Sequence, residues 1–320
     1  MKEIGGYMQF ERFNGEHYQK GLPLNTGRGA ILILLRMLNA KKIYIPYYLC
    51  DSIKNYLQTN DFAYEFYHIN RDFFPLFERD LKNDEYLLIV NIYGQLSSTD
   101  IANIKKKYNN IILDNTHAFF ELPQPNIHTV YSCRKFFGVP DGAYLHIANF
   151  SHTLNTISLA EDKSLNRFNH LLGRFEESAS EHYSEFLNTE SIFASLPPLK
   201  MSKLTSNLLN IIDYAHILKI RNNNFERYAK ALAPTNLIDA RMLNGPFCYP
   251  YRIKNGAQIR QSLIEKKIYI PILWPNVTKS YGASDEEFDM AQNTLPLPVG
   301  QGVSFEDIDL IIEALQDLHA

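Results

Sequence analysis

The sequence predicts an α/β fold: a large domain on a mostly parallel sheet, then a small C-terminal α+β domain. Three observations carry that expectation. Strand-like and helix-like stretches alternate between residues 42 and 114, as in a parallel sheet with crossover helices. Tyr86–Ile92 is a near-continuous apolar run, the kind buried on both faces of such a sheet. Toward the C-terminus, short strand-like stretches sit between breakers around one helix-like segment. With 320 residues, 45% of them hydrophobic, the chain can fill one large core and one smaller one.

Residues 1–25 read as irregular, punctuated by Gly5-Gly6, Gly15 and Gly21. Asn25 or Thr26 caps a helix through Ile31–Leu38, and its small residues leave the first amides open to an anion. A strand follows at Lys42–Pro46, a helix at Asp51–Leu57 and an alternating strand at Ala63–Ile69. Ser97-Ser98-Thr99-Asp100 caps the next helix, whose Lys105-Lys106-Lys107 end suits its dipole. Ile111-Ile112-Leu113 is a strand closing on Asp114, and His128–Tyr131 is another. Residues 151–190 are polar, with Glu176, Glu177, Glu181 and Glu185 expected on exposed helical faces.

After a break at Ser195–Pro198, one long helix is expected from about Met201 to Leu232. Its apolar face would be Leu204, Leu208, Ile211, Ile212, Ala215 and Leu218. This divides the chain at about residue 200, with 1–200 the large domain and 201–320 the bridging helix and small domain. In the latter, Phe247–Ile253 and Tyr269–Leu273 read as strands and Ala257–Lys266 as a helix. Leu295–Val299 is an extended edge, and Ser304-Phe305-Glu306-Asp307 starts the last helix.

A net charge of −3 and the lack of a basic stripe argue against a nucleic-acid partner. No run is apolar enough to span a bilayer or resemble a signal peptide. Three scattered cysteines form neither a disulfide framework nor a metal site, so a reduced, cytoplasmic protein is expected.

Two positions invite chemistry. Lys135 follows a strand and precedes Phe136-Phe137, where burial and the adjacent Arg134 would lower its pKa toward the range Schiff-base chemistry needs. It can also be a junction lysine with a packed stem and a solvated head. Asp114 closes a buried strand, where ligands gather in open α/β sheets. It is either a helix cap or the partner of a cofactor's cationic ring nitrogen. His117 is either a satisfied core histidine or a contact to another ring substituent.

Several motifs stand in order: Thr26-Gly27-Arg28-Gly29-Ala30, Ile45-Pro46-Tyr47-Tyr48, Asn91-Ile92-Tyr93-Gly94-Gln95 and Leu113-Asp114-Asn115-Thr116-His117-Ala118. Ser132-Cys133-Arg134-Lys135-Phe136-Phe137-Gly138, Asp141-Gly142 and Leu295-Pro296-Leu297 complete the set. Together they resemble the DegT-type sugar aminotransferases, pyridoxal 5'-phosphate (PLP) enzymes of the aspartate-aminotransferase-like fold (fold type I). The resemblance implies that Lys135 forms the Schiff base with PLP, that Asp114 meets the pyridine nitrogen and that His117 reaches the ring hydroxyl. It also implies that Gly27, Arg28 and Ser132 bind the phosphate, and that Tyr48 or Cys50 covers the ring face. The resemblance further implies a nucleotide-linked keto sugar as acceptor, an amino acid such as glutamate as donor and a homodimer as the assembly.

The chain departs from the pattern in three places. It is short for the family, Ala143 replaces a frequent glycine, and Pro198-Leu199-Lys200-Met201-Ser202 stands where members carry Asn-Tyr-Arg-Met-Ser toward the neighbouring subunit. Rival readings are a PLP-dependent sugar dehydratase, which Lys135 argues against, and a protein that keeps the fold for binding or sensing alone.

Overall fold

The computed structural model describes residues 7–148, 158–280 and 282–318. The larger part of the chain builds one eight-stranded sheet. Its strands are β1 (Leu22–Leu24), β2 (Lys42–Pro46), β3 (Ala63–Ile69), β4 (Pro75–Leu76), β5 (Glu85–Val90), β6 (Ile111–Asp114), β7 (His128–Ser132) and β8 (Ala143–His146). Their spatial order is β1-β8-β7-β6-β5-β2-β3-β4. The five central strands β7, β6, β5, β2 and β3 are parallel, whereas β8 and β1 at one edge and β4 at the other are antiparallel. Every residue of β5 is buried, as its unbroken apolar run requires of a strand covered on both faces. The sheet register sets Val90 beside Asp114, so the carboxyl ends of β5 and β6 finish level.

Of the crossover helices α1 (Gly27–Met37), α2 (Asp51–Thr59) and α3 (Ser98–Lys107), the first and third start where a side-chain cap starts them, whereas Cys50 before α2 makes no cap bond. Thr26 Oγ1 accepts from the Gly29 amide at 3.1 Å, and Ser97 and Asp100 form a reciprocal capping box. Such a cap stabilises by about 1 kcal/mol.

The polar stretch after the sheet holds α4 (Asn169–Glu176) and α5 (Tyr183–Ser195); residues 149–157 of it lie outside the described ones. The single long helix expected from Met201 is instead two, α6 (Lys203–Leu209) and α7 (Tyr214–Leu232). The break has a local cause. Asp213 caps α7 by accepting from the His216 amide at 3.0 Å, so the chain restarts rather than continues. The break also turns the apolar face: Leu209 and Ile217 are buried, while Ile211 is 59% exposed.

Helix α7 connects two cores. Ile217 joins the Phe119–Phe136–Phe137 cluster beneath the sheet's edge, and Phe225, Tyr228 and Leu232 join the second core. That second core packs β9 (Cys248–Arg252) and β10 (Thr294–Pro298), an antiparallel pair, with α8 (Gly256–Glu265) and α10 (Phe305–Asp317). Ile308, Ile311, Ile312 and Leu315 form the buried stripe of α10 at helical spacing. The expected strand at Tyr269–Leu273 does not form: the stretch pairs with no strand, and only Ile270 is buried in it, at 4% exposure. Helix α9 (Asp285–Asn293), unforeseen, carries a capping box of Ser284 and Glu287. The buried Glu287 carboxylate also accepts from the Ile69 amide at 3.0 Å, tying α9 to β3 of the sheet.

Candidate functional site

A cavity of about 250 Å³ opens at the carboxyl ends of the parallel strands. Val90 from β5, Asp114 from β6 and Ser132 from β7 line it, facing the N-terminus of α1 with Thr26, Gly27 and Arg28. This is the crevice where open α/β sheets collect ligands. Cys50, His117 and Lys135 line the same cavity, so seven of the eight residues singled out from the sequence meet there.

Asp114 is 5% exposed, and its Oδ1 accepts from the Thr116 amide at 2.9 Å. Burial raises its carboxyl pKa above the ordinary value, and the bonds to Thr116 and the Lys135 ammonium pull the other way. Among the described residues it has no ion-pair partner. It is therefore a sealed carboxylate whose charge protein contacts compensate only in part.

His117 is held as a neutral imidazole. The Tyr93 amide donates to its Nδ1 at 3.2 Å, which leaves the ring proton on Nε2. Burial, and then the Lys135 ammonium, push its pKa well below the ordinary range. Its ring stacks on Phe247 at 4.0 Å and 1°. The amide that fixes it belongs to a residue in the left-handed region, Tyr93 at φ 54, followed by Gly94 at φ 70. Strain of this kind persists only where the surroundings impose it.

Lys135 is exposed, which departs from the buried reading and agrees with that of a junction lysine whose head is solvated. A short 3-10 turn, Cys133–Lys135, sends Cys133, Phe136 and Phe137 into the core and leaves Lys135 exposed in the cavity mouth. Beside it Arg134 is committed elsewhere: it pairs with Glu190 of α5 and lies over the Phe193 ring at 3.8 Å. Arg28 reaches the same wall and makes no ion pair among the described residues. Burial lowers its pKa from the ordinary value, Cys50 opposes that, and the Arg134 charge adds to it.

Tyr48 does not reach the cavity. It is fully buried, its hydroxyl 3.0 Å from that of Tyr93 and its ring edge-on to Trp274 at 4.7 Å. The bend after β2 turns Tyr48 inward and leaves both Leu49 and Cys50 on the cavity wall. Cys50 Sγ lies 2.8 Å from Ser52 Oγ.

Sequence reasoning missed Trp274 and Glu190, both of which line the cavity. Glu190 lay in a stretch of solvated charge. Trp274, the only tryptophan, sits between Pro271 and Pro275, a loop signal read as a strand. None of Pro198–Ser202 lines the cavity, and the segment is hydrogen-bonded to Asn25 and Asp141 of its own chain. Asn25 and Leu199 exchange bonds of 2.9 and 3.2 Å, and Ser202 donates to the buried Asp141 through N at 2.8 Å and Oγ at 2.6 Å.

No protein-family model and no curated protein matches the sequence. Solved structures do match. A DegT DnrJ EryC1 StrS aminotransferase from Brucella abortus superposes with a TM-score of 0.60 at 12% identity, over 94% of this chain and 86% of that one. The sugar aminotransferase CalS13 from Micromonospora echinospora gives 0.59 at 12% identity, over 92% and 86%. A Bacillus subtilis protein, NtdA, with bound cofactor PMP gives 0.65 at 15% identity, over 96% and 78%. The chain shares the fold of these structures, the aspartate-aminotransferase-like fold (fold type I).

Proposed function

We propose that the chain is a PLP-dependent aminotransferase that moves an amino group from an amino acid, glutamate by preference, to a keto sugar carried on a nucleotide. One observation carries the cofactor reading. A sealed carboxylate without an ion-pair partner among the described residues, Asp114, shares a cavity with an open amine, Lys135, although they lie on separate strand ends. Burying a carboxylate costs several kcal/mol unless a cation meets it, roughly as for any desolvated ion. A protonated pyridine nitrogen is such a cation.

The remaining residues fit the same group. The N-terminus of α1 offers the amides of Gly27 and Arg28, which have no acceptor within the helix, and the Ser132 hydroxyl and Arg28 guanidinium add to an anion site. His117, neutral with its proton on Nε2, can donate to a ring oxygen without contributing charge. When bound, the cofactor supplies an electron sink for carbanion chemistry. Asp114 then holds a proton on the ring nitrogen, and the Lys135 Nζ takes up and returns a proton at the reacting carbons. The rim of exposed apolar side chains on α4 and α5, Leu172, Phe175, Tyr183, Phe186 and Leu187, supports a homodimer. The sugar and donor classes rest on the likeness to sugar aminotransferases.

The test is spectroscopic. Protein mixed with PLP should turn yellow, and borohydride should bleach it and leave the cofactor's mass on the Lys135 peptide. Lys135→Ala should show neither. Bleaching of the yellow band by glutamate would support transamination; a band indifferent to every amino acid would refute it in favour of a binding protein.

A further inference from the structure

We propose that Gln301 and Arg221 are positioning residues for Lys135: together they grip the Phe136 carbonyl and so fix where the amine stands in the cavity mouth. The proposal rests on the PLP reading above, which gives Lys135 its task. Lys135 does not place itself. It is exposed, and among the described residues its Nζ makes no hydrogen bond or ion pair. A lysine head on a flexible four-carbon stem reaches only where its backbone lets it.

That backbone is pinned on both sides of Lys135. On the N-terminal side the buried Cys133 donates its amide to the Gly142 carbonyl at 3.0 Å. On the C-terminal side the Phe136 carbonyl, one residue beyond the lysine, accepts two bonds. Gln301 Nε2 donates to it at 2.8 Å and Arg221 Nη2 at 3.4 Å. The two donors are themselves joined, since Arg221 Nη2 also donates to Gln301 Oε1 at 3.0 Å. The guanidinium lies over the Phe136 ring at 4.6 Å, so ring and carbonyl of the same residue are held at once.

Neither donor belongs to the sheet. Arg221 stands on α7, is 4% exposed, and anchors its Nη1 on the Pro246 carbonyl at 3.0 Å. One turn along α7, Asn224 Nδ2 donates to the carbonyls of Val299 at 3.2 Å and Val303 at 3.1 Å. Those bonds fasten the loop that presents Gln301. Burial brings the Arg221 pKa down to about 10, with Cys248 opposing. Burying a cation without a carboxylate partner is costly. Arg221 bears that cost with every partner an uncharged oxygen, and its rigid fork admits one arrangement of the groups it touches. The second core thereby reaches the amine through two hydrogen bonds to one carbonyl.

The experiment compares wild type, Gln301→Glu and Gln301→Met as apo-proteins mixed with PLP and, separately, with pyridoxamine 5'-phosphate (PMP). The PLP aldehyde condenses with the Lys135 amine, forming a C=N bond and releasing water. PMP has no aldehyde and needs only the cavity. Gln301→Glu keeps an acceptor for Arg221 and loses the donor to Phe136, whereas Gln301→Met loses both at similar length. The rate at which the yellow band appears, the borohydride-trapped mass on the Lys135 peptide, PMP affinity and each apo Tm are followed. The clamp predicts band formation about tenfold slower in both variants, with PMP affinity within about twofold of wild type. Equal weakening toward PLP and PMP would overturn it, because Gln301 would then be shaping the cavity. So would a wild-type rate in either folded variant. If Gln301→Glu does not fold, Gln301→Met carries the test. Failure of both to fold also overturns the proposal, as the mark of a residue the whole structure needs. A wild type that gains no yellow band overturns the cofactor reading and the clamp with it, whereas a normal wild-type band with indifferent Gln301 variants overturns the clamp alone.

Discussion

Arg28 offers the sharpest quantitative test of the anion end. Its guanidinium lines the cavity at the start of α1 and has no ion-pair partner among the described residues, while Glu190 takes the charge of Arg134. Burial already disfavours its charged form. A phosphate would relieve that cost, and Arg28→Gln should remove the relief while keeping a polar stem of similar length. A hydrogen bond between charged partners contributes about 1.5–3 kcal/mol net. That corresponds to about 10- to 100-fold in affinity. A bare Coulomb figure of about 4 kcal/mol for unit charges 4 Å apart at intermediate dielectric sets the ceiling. The open amides of α1 remain in the variant, so binding should weaken and not vanish. Titration of apo-protein with PLP and with pyridoxal, which lacks the phosphate, separates the two ends of the ligand. PLP should weaken by about 10- to 100-fold and pyridoxal by less than about twofold. The PLP loss should shrink as salt rises. Equal weakening of both ligands would refute the assignment, because Arg28 would then be shaping the cavity rather than meeting phosphate.

Other consequences follow from the same contacts. Gly94 sits at φ 70, where an added Cβ would lie 2.8 Å from the His117 carbonyl oxygen. Gly94→Ala should cost about 1–3 kcal/mol in urea unfolding and weaken PLP binding through His117; a variant as stable as wild type would show that the turn is not strained. His128 is held neutral by burial and by the Lys105 ammonium, its pKa lowered from 6.5 to about 4, with Nδ1 accepting from the Ala148 amide at 3.2 Å. A depressed folded pKa contributes stability that is present above the unfolded value and is lost as pH falls from 6.5 toward 4. Between neutral pH and pH 5 wild type should therefore lose about 1–2 kcal/mol more than His128→Asn. Parallel stability curves for the two proteins would remove His128 from the account.

The sequence by itself determined what is local. Alternating and continuous apolar runs placed β2, β3, β5 and β6 within a residue or two, because side-chain period and burial are written along each segment. Thr26, Ser97 and Ser304 marked helix starts, because a cap is made by residues three positions apart. Asp114, Ser132 and Lys135 could be read as a site because each ends or follows a strand, and parallel strands deliver their carboxyl ends to one crevice.

What only the tertiary structure decided is which side chains reach that crevice from elsewhere, and in what state. Lys135 stands open because the turn around it spends its inward positions on Cys133, Phe136 and Phe137. Tyr48 is turned away from the cavity and Trp274 lines it because the loop ahead of α9 packs onto the turn after β2, a contact that no window of sequence contains. Glu190 looked like one solvated charge among many until α5 laid it against Arg134. Periodicity and capping depend on neighbours in the chain, whereas the composition of a cavity wall depends on distant segments whose packing is settled only when the whole core closes.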